Sequence, residues 1–345
     1  MFARTHAVAA VALGAMLALS SCSPSSGDTA QSSGRSTSLS SSVTHDTGPA
    51  VTVPEAQAIM QSYDTANNAA IKASHSPTYD EKPWGSVDAG PVLASDVFST
   101  RLAEQQRDKS TSKPFTHTVM HAYGSTTRSS DGRPPWLLVT GIVPAVGNSG
   151  MPYDFACVLV KEPAGWRMWA SLGGDLRSLP TPPRRVQTLT TSQRQAAANS
   201  IALLGRAVAT GSVDEIGKGS AITEYRTALH KGLPDTEMTV EPRPWGSPVG
   251  TSTATAIVVG TPAARLMRVG SATLGLVSFE NIVTYETTDG TATIKLDRDH
   301  AAVEGGDSKP TAMAHRRTYQ TMLVSIDDHG KPTVVGSSDG LLAKA

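Results

Sequence analysis

The stretch Phe155-Ala156-Cys157-Val158-Leu159-Val160-Lys161-Glu162-Pro163-Ala164-Gly165-Trp166-Arg167-Met168-Trp169-Ala170-Ser171-Leu172 decides the fold. A continuous apolar run, a turn with Pro163 and Gly165, and an alternation follow one another. In that alternation Trp166, Met168, Ala170 and Leu172 are expected on one face, so the stretch reads as a β-hairpin. Outward from it, Phe115 to Tyr123, Trp136 to Val146 and Asp154 to Lys161 read as strands between Gly, Pro and Ser clusters. Upstream the pattern becomes helical. Thr52-Val53-Pro54-Glu55 offers a capping box with proline in the first turn, and Val53, Ala56, Ile59, Met60, Tyr63, Ala66 and Ala70 form one apolar stripe. The helix is expected to end near Ala73, and a weaker one to use Leu93, Val97 and Leu102.

Downstream, Leu179-Pro180-Thr181-Pro182-Pro183-Arg184-Arg185 interrupts any helix or central strand. A domain boundary is expected there, with the first domain over 51–176, a Pro-rich linker over 177–191 and a second domain over 192–345. The second domain again runs helices first. Ser192 with Gln195 offers a cap for the stripe Ala197, Ile201, Leu204 and Val208. Ser212 with Glu215 offers another, and Ile222, Tyr225 and Leu229 lead to Gly232 as a C-cap. From Glu237 the chain turns strand-like, over 252–260, 273–287, 291–297, 314–327 and 332–336. Cys157-Val158-Leu159-Val160 and Gly165 match Met322-Leu323-Val324-Ser325 and Gly330 at an offset of 165 residues. The helical starts differ by 140, which places about 25 extra residues near 285–315, and the pattern predicts a diverged duplication. Pro-Trp-Gly-Ser at 83–86 and 244–247 sits differently against the helices and reads as coincidence.

The N-terminus carries a different message. Arg4 is followed by the uncharged run Ala7 to Leu19 and then by Leu19-Ser20-Ser21-Cys22. That run is too short for the ~20 apolar residues that cross a bilayer and fits the ~7–15 of a secretory signal. Leu-Ser-Ser-Cys resembles the lipobox of bacterial lipoprotein precursors. The resemblance implies cleavage between Ser21 and Cys22, a diacylglyceryl thioether on Cys22, and localisation at the outer side of the cell membrane, held by membrane lipid. Residues 1–21 are then a signal peptide, and 22–50 the lipidated Cys22 and a flexible tether, with 14 Ser or Thr in the 28 positions after Cys22. Its root-mean-square reach is ~30 Å.

Helices followed by an antiparallel meander that ends in the Lys161–Trp169 hairpin resemble the NTF2-like fold, a curved sheet wrapped around a long helix. The resemblance implies an α+β chain of two tandem NTF2-like halves, each with N-terminal helices packed on a curved antiparallel sheet. The Ala/Thr/Ser-rich texture and Val-Thr-Val-Pro-Glu-Ala at 51–56 are similar to uncharacterised surface lipoproteins of actinobacteria, which implies a location and no activity.

Chemistry is sparse. The formal net charge of 0 lacks the basic footprint of a nucleic-acid binder, so no nucleic-acid partner is expected. With Cys22 lipidated, Cys157 is the remaining thiol, and its apolar run reads as a buried, inert position. Gly336-Ser337-Ser338-Asp339-Gly340 fits G-x-S-x-G but has no room downstream for a triad, and reads as a terminal turn. Ser110-Thr111-Ser112-Lys113 lies in a polar loop without a K-T-G partner. His117 and His121 would share a strand face yet lack a third ligand, and read as surface histidines. Asp297-Arg298-Asp299-His300 reads as a solvated strand end rather than a calcium loop. No metal, cofactor or catalytic residue is therefore expected. Trp136, Tyr153, Trp166 and Trp169 suit a core or a ligand cavity, and any ligand pocket is expected around Trp136, Trp166 and Met168. The reading is a non-catalytic binding or interaction module at the cell envelope, with an envelope protein or small ligand as partner. Its alternatives are a solute-binding lipoprotein of a transporter, which would need βαβ units, and an envelope enzyme with an unrecognised acid–base site.

Overall fold

The computed structural model describes residues 46–110, 113–127, 134–144, 152–187, 189–231, 233, 235–247, 264–288, 293–294 and 312–342. The expected signal peptide, Ser21, Cys22 and the expected tether up to residue 45 lie outside them. So do the strand expected over 252–260, most of 291–297, Gly232 and Asp297–His300.

The chain is α+β with two open antiparallel sheets. Helix α1 (Val53–Ser74) starts at the expected capping box, with Thr52 and Glu55 bonded reciprocally. A short α2 (Trp84–Val87) and α3 (Gly90–Gln106) follow. Strands β2 (Thr118–Gly124), β3 (Trp136–Val143), β4 (Tyr153–Glu162) and β5 (Gly165–Leu172) then form a meander in sequence order. The second sheet is built from α4 (Thr191–Thr210) and α5 (Ser220–His230) onward. Its strands are β7 (Thr236–Pro244), β8 (Ala264–Val269), β9 (Ala272–Thr287), β10 (Met313–Ile326) and β11 (Pro332–Leu342). Strands β7 and β8 pair with successive parts of the same edge of β9. Two short strands complete this sheet: β1 (Asp46–Pro49), inside the segment expected as tether, pairs with β6 (Arg185–Gln187), inside the expected linker.

Several local expectations shift. Helix α4 is capped by Thr190 with Gln193, two residues before the expected pair, because Thr190-x-x-Gln193 offers the same reciprocal bonds to an earlier first turn. Ser212 caps no helix. The backbone after it is recruited by β11 instead, Gly217 N donating to Pro332 O at 2.8 Å and Gly217 O accepting from Val334 N at 3.1 Å. Gly336–Gly340 is not a terminal turn: β11 continues through it, with Ser338 paired to Thr321 on β10.

Each sheet is covered twice. Helices α1 and α2 seal one face of the first sheet with Ala56, Met60, Tyr63, Ile71 and Trp84 over Leu137, Val139, Cys157 and Leu159. Helices α4 and α5 seal the outer face of the second with Ile201, Leu204, Val208 and Ile222 over Phe279, Val283 and Met322. The remaining faces pack on each other. Leu138, Ala156, Val158, Ala170 and Leu172 meet Met267, Leu274, Leu276, Leu323 and Val335 in one apolar cluster. The order of layers is helix, sheet, sheet, helix. This double cover explains why Phe155–Val160 is apolar at every position instead of alternating, since all six residues are buried.

The expected single face of β5 is broken by a β-bulge. Val158 pairs with Ala170 but Leu159 with Met168, leaving Trp169 as the extra residue. An inserted residue shifts the alternation by one, so Trp166 and Met168 pack under the helices while Ala170 and Leu172 join the inter-sheet cluster. Trp169 itself crosses to the second sheet. Its Nε1 donates to Ser278 Oγ at 3.1 Å, which also accepts from Thr321 Oγ1 at 3.0 Å. The Arg265 guanidinium lies 4.5 Å from the ring centre, and burial pushes its pKa down to about 10. Gly90, at φ +57°, admits the indole, since a Cβ there would stand 2.8 Å from the ring. At the adjacent corner Gly173 and Ser337 bond reciprocally through their backbones, and a Cβ on Gly174 would stand 2.6 Å from Val335 O.

Trp169→Ala should therefore destabilise the whole chain by about 3–5 kcal/mol in denaturant unfolding, whereas Trp169→Phe, keeping the ring and losing the indole bond, should cost about 1–2 kcal/mol. Equal losses for the two variants would contradict this role.

Candidate functional site

The lead-in to β2 runs past helix α1, and the helix satisfies it with side chains. Gln57, Asp64 and Asn68 are spaced by seven and four residues, which places them on one helix face. Asn68 Oδ1 accepts from Phe115 N at 3.2 Å and its Nδ2 donates to Phe115 O at 2.8 Å. Asp64 Oδ2 accepts from His117 N at 2.8 Å. Gln57 Nε2 donates to His117 O at 3.0 Å, while its Oε1 accepts from Val119 N at 2.7 Å. The helix side chains take the place of a neighbouring strand along an edge that would otherwise expose unpaired backbone groups.

Asp64 also holds the His117 ring, with Oδ1 2.5 Å from Nδ1. Both residues are buried, at 3% and 7% relative exposure, so His117 is not the surface histidine expected from its sequence context. The physical reason is the Asp64 carboxylate, which supplies a partner for both the backbone and the ring. The imidazole packs edge-on against Phe155 at 4.5 Å and Phe115 at 5.4 Å between ring centres. Beside it, Tyr63 Oη donates to Asn67 Oδ1 at 3.3 Å and Asp88 Oδ1 at 3.2 Å. His121 is exposed. A bulge between Val119 and His121 removes the shared face that a regular strand would give the two histidines. No group of three metal-ligating side chains occurs among the described residues.

The other sequence candidates fall into packing. Met168 is buried and Trp166 half-buried against the α1 cluster, with Lys161 Nζ 5.5 Å above the Trp166 ring. Trp136 packs instead against the inter-sheet cluster, so the three residues expected around one pocket divide between two clusters. Cys157 is fully buried, and that burial raises its thiol far above the ordinary range, keeping it protonated.

Chemically, an Asp that accepts from Nδ1 fixes the imidazole tautomer and leaves Nε2 as an acceptor. That is the orientation of a general base, yet here the ring is walled by two phenylalanines. Asp64 was missed by sequence reasoning because one acid among helix polar residues carries no pattern of its own. The usable signal was Gln57, Asp64 and Asn68 on one face beside the apolar stripe. Compared with known proteins, the chain matches no family model and no curated protein.

Asp64→Ala leaves a buried backbone N–H and an imidazole without their acceptor, and should cost about 3–5 kcal/mol by urea unfolding. Diethyl pyrocarbonate mapped by mass spectrometry should modify His121 and spare His117 in the native protein; native-state modification of His117 would count against its enclosure.

Proposed function

We propose that this chain is a lipid-anchored extracytoplasmic module of the cell envelope that binds a ligand or partner without catalysis. The anchor rests on Leu19-Ser20-Ser21-Cys22 and the Ser/Thr-rich stretch after it, and puts diacylglyceryl Cys22 at the outer side of the membrane. No helix among the described residues is long and apolar enough to cross a membrane. The observation that carries the non-catalytic part is packing. Cys157 is held as a buried thiol, His117 is enclosed by Asp64, Phe115 and Phe155, and Ser338 lies within a paired strand rather than on an exposed elbow. A second reading, an envelope enzyme, is favoured by the Asp64–His117 pair alone, and it requires His117 to reach a substrate.

The body of the module is a tandem of two NTF2-like halves, diverged from one duplication and related to the surface lipoproteins of actinobacteria. Both halves place helices before a meander whose last hairpin turns at Gly165 or Gly330. The bulges add independent support. The first interrupts the ladder between Val158 and Leu159, the second between Leu323 and Val324, and the 165-residue offset carries one pair of positions onto the other.

Cys22→Ser should move the protein from the membrane fraction to the medium, or leave it as a larger unprocessed precursor. A Cys22→Ser protein that matures and still fractionates with membranes would refute the anchor.

A further inference from the structure

The outer face of the second sheet is largely apolar, apart from Arg316, whose guanidinium lies 5.3 Å from the Tyr285 ring centre, and one further polar row. On β9 the side chains at 277, 279, 283 and 285 belong to the helix-covered cluster, and on β10 those at 314, 322, 324 and 326 do. Between them Asn281 faces Thr318 in the ladder, Gln320 follows two residues on, and Asp339 on β11 lies opposite Gln320. Paired residues and their i+2 neighbours share a face, so Asn281, Thr318, Gln320 and Asp339 form a polar strip across three strands. Tyr225 of α5 covers it. The tyrosine hydroxyl lies 2.6 Å from Thr318 Oγ1 and accepts from Asn281 Nδ2 at 2.7 Å. Asn281 and Gln320 have no exposed surface and Thr318 1%, whereas Asp339, on the edge strand, is exposed. The strip runs from the interior to solvent.

Its inner end is not satisfied. Asn281 Oδ1 and both polar atoms of the Gln320 amide are buried without a hydrogen-bond partner among the described residues. Native proteins rarely leave such atoms unmatched, and two adjacent amides sharing that condition on one face point to something that bonds them. The unmatched groups define its chemistry. Asn281 Oδ1 and Gln320 Oε1 accept, the Asp339 carboxylate at the mouth accepts, and Gln320 Nε2 donates. A cation would satisfy the acceptors and leave the amide N–H groups unpaired. An anion would meet three acceptors. A hydroxyl both donates and accepts, and adjacent hydroxyls on one carbon frame fit the alternation, with the apolar ring of Phe279 beside Gln320 for the carbon face.

We propose that this strip is a binding site for a neutral, hydroxyl-rich ligand, a sugar or polyol, held by Gln320 and Asn281 and entered past Asp339. The proposal rests on the binding-module reading and deepens it by naming the ligand's chemistry. Fractionation tests the anchor and ligand binding tests the strip, so either can fail alone.

The test uses the full-length protein in detergent, with glucose, N-acetylglucosamine and glycerol as probes in saturation-transfer NMR and thermal unfolding. At least one probe should give a transfer signal and raise the wild-type Tm. Gln320→Leu should fold with an unchanged or higher Tm, because it removes unmatched buried atoms, and should lose the probe response. Gln320→Met, of similar length, should behave in the same way and keeps the test open if the leucine variant misfolds. Asp339→Asn should weaken the response several-fold. Absence of any response in the wild type would overturn the proposal and assign the amides to internal water. A response of wild-type size in both Gln320 variants would overturn it too, placing the sugar elsewhere.

Discussion

A sheet that is apolar on both faces must be covered twice, and this requirement governs the whole molecule. Helices cover the outer face of each sheet, and the inner faces have only each other. Trp169 is where they lock: one indole is bounded by Gly90, fills the inter-sheet cluster, stacks with Arg265 and donates to Ser278. A β-bulge lets Ala170 and Leu172 share that side with it: without the extra residue in β5, Ala170 and Leu172 would fall with Met168 under the helices and leave the inter-sheet cluster. The bulge between Leu323 and Val324 does the same on β11: Val334 packs under α4 and α5, whereas Gly336, two residues on, pairs with Leu323 of the inter-sheet cluster.

The two helix-covered faces resolve their polar residues differently. Under α1, polar side chains are used against backbone. Gln57, Asp64 and Asn68 close the edge at residues 115–119, and the His117 ring is drawn in with it. Under α5, polar side chains stand in the middle of the sheet, where the strand backbones are already paired. There Tyr225, Thr318 and Asn281 satisfy one another in part, and Gln320 is left over. A buried pair that is fully bonded rigidifies its surroundings, whereas leftover donors and acceptors beside an exposed edge residue invite an outside partner. This contrast favours the first site as structural and the second as the place where binding energy can be gained.

The division of the chain also takes on a different meaning in three dimensions. The Pro-rich segment around Pro180–Arg185 separates two runs of helices and strands, yet Tyr123 Oη donates to Pro180 O at 2.9 Å and β6 joins β1 to the edge of β8. Val51 N, two residues beyond β1, donates to Gly124 O on the first sheet. The first described residues thus touch both sheets.

The sequence by itself determined whatever depends on near neighbours. Thr52 with Glu55 starts α1, and Ala197, Ile201, Leu204 and Val208 form the buried stripe of α4. The turn at Gly165 closes the hairpin, and Leu19–Cys22 carries the resemblance to a lipobox, because each is a pattern within a turn or two of chain. The run Phe155–Val160 also read as a strand, though not as one covered on both faces. Only the tertiary structure decided the rest. His117 became buried because Asp64, 53 residues away, reached it, and Trp169 crossed the seam to Ser278, 109 residues away. Trp136 parted from Trp166 and Met168 because strand faces are set by register, and one extra residue in a ladder reverses them without leaving a mark in hydrophobic periodicity.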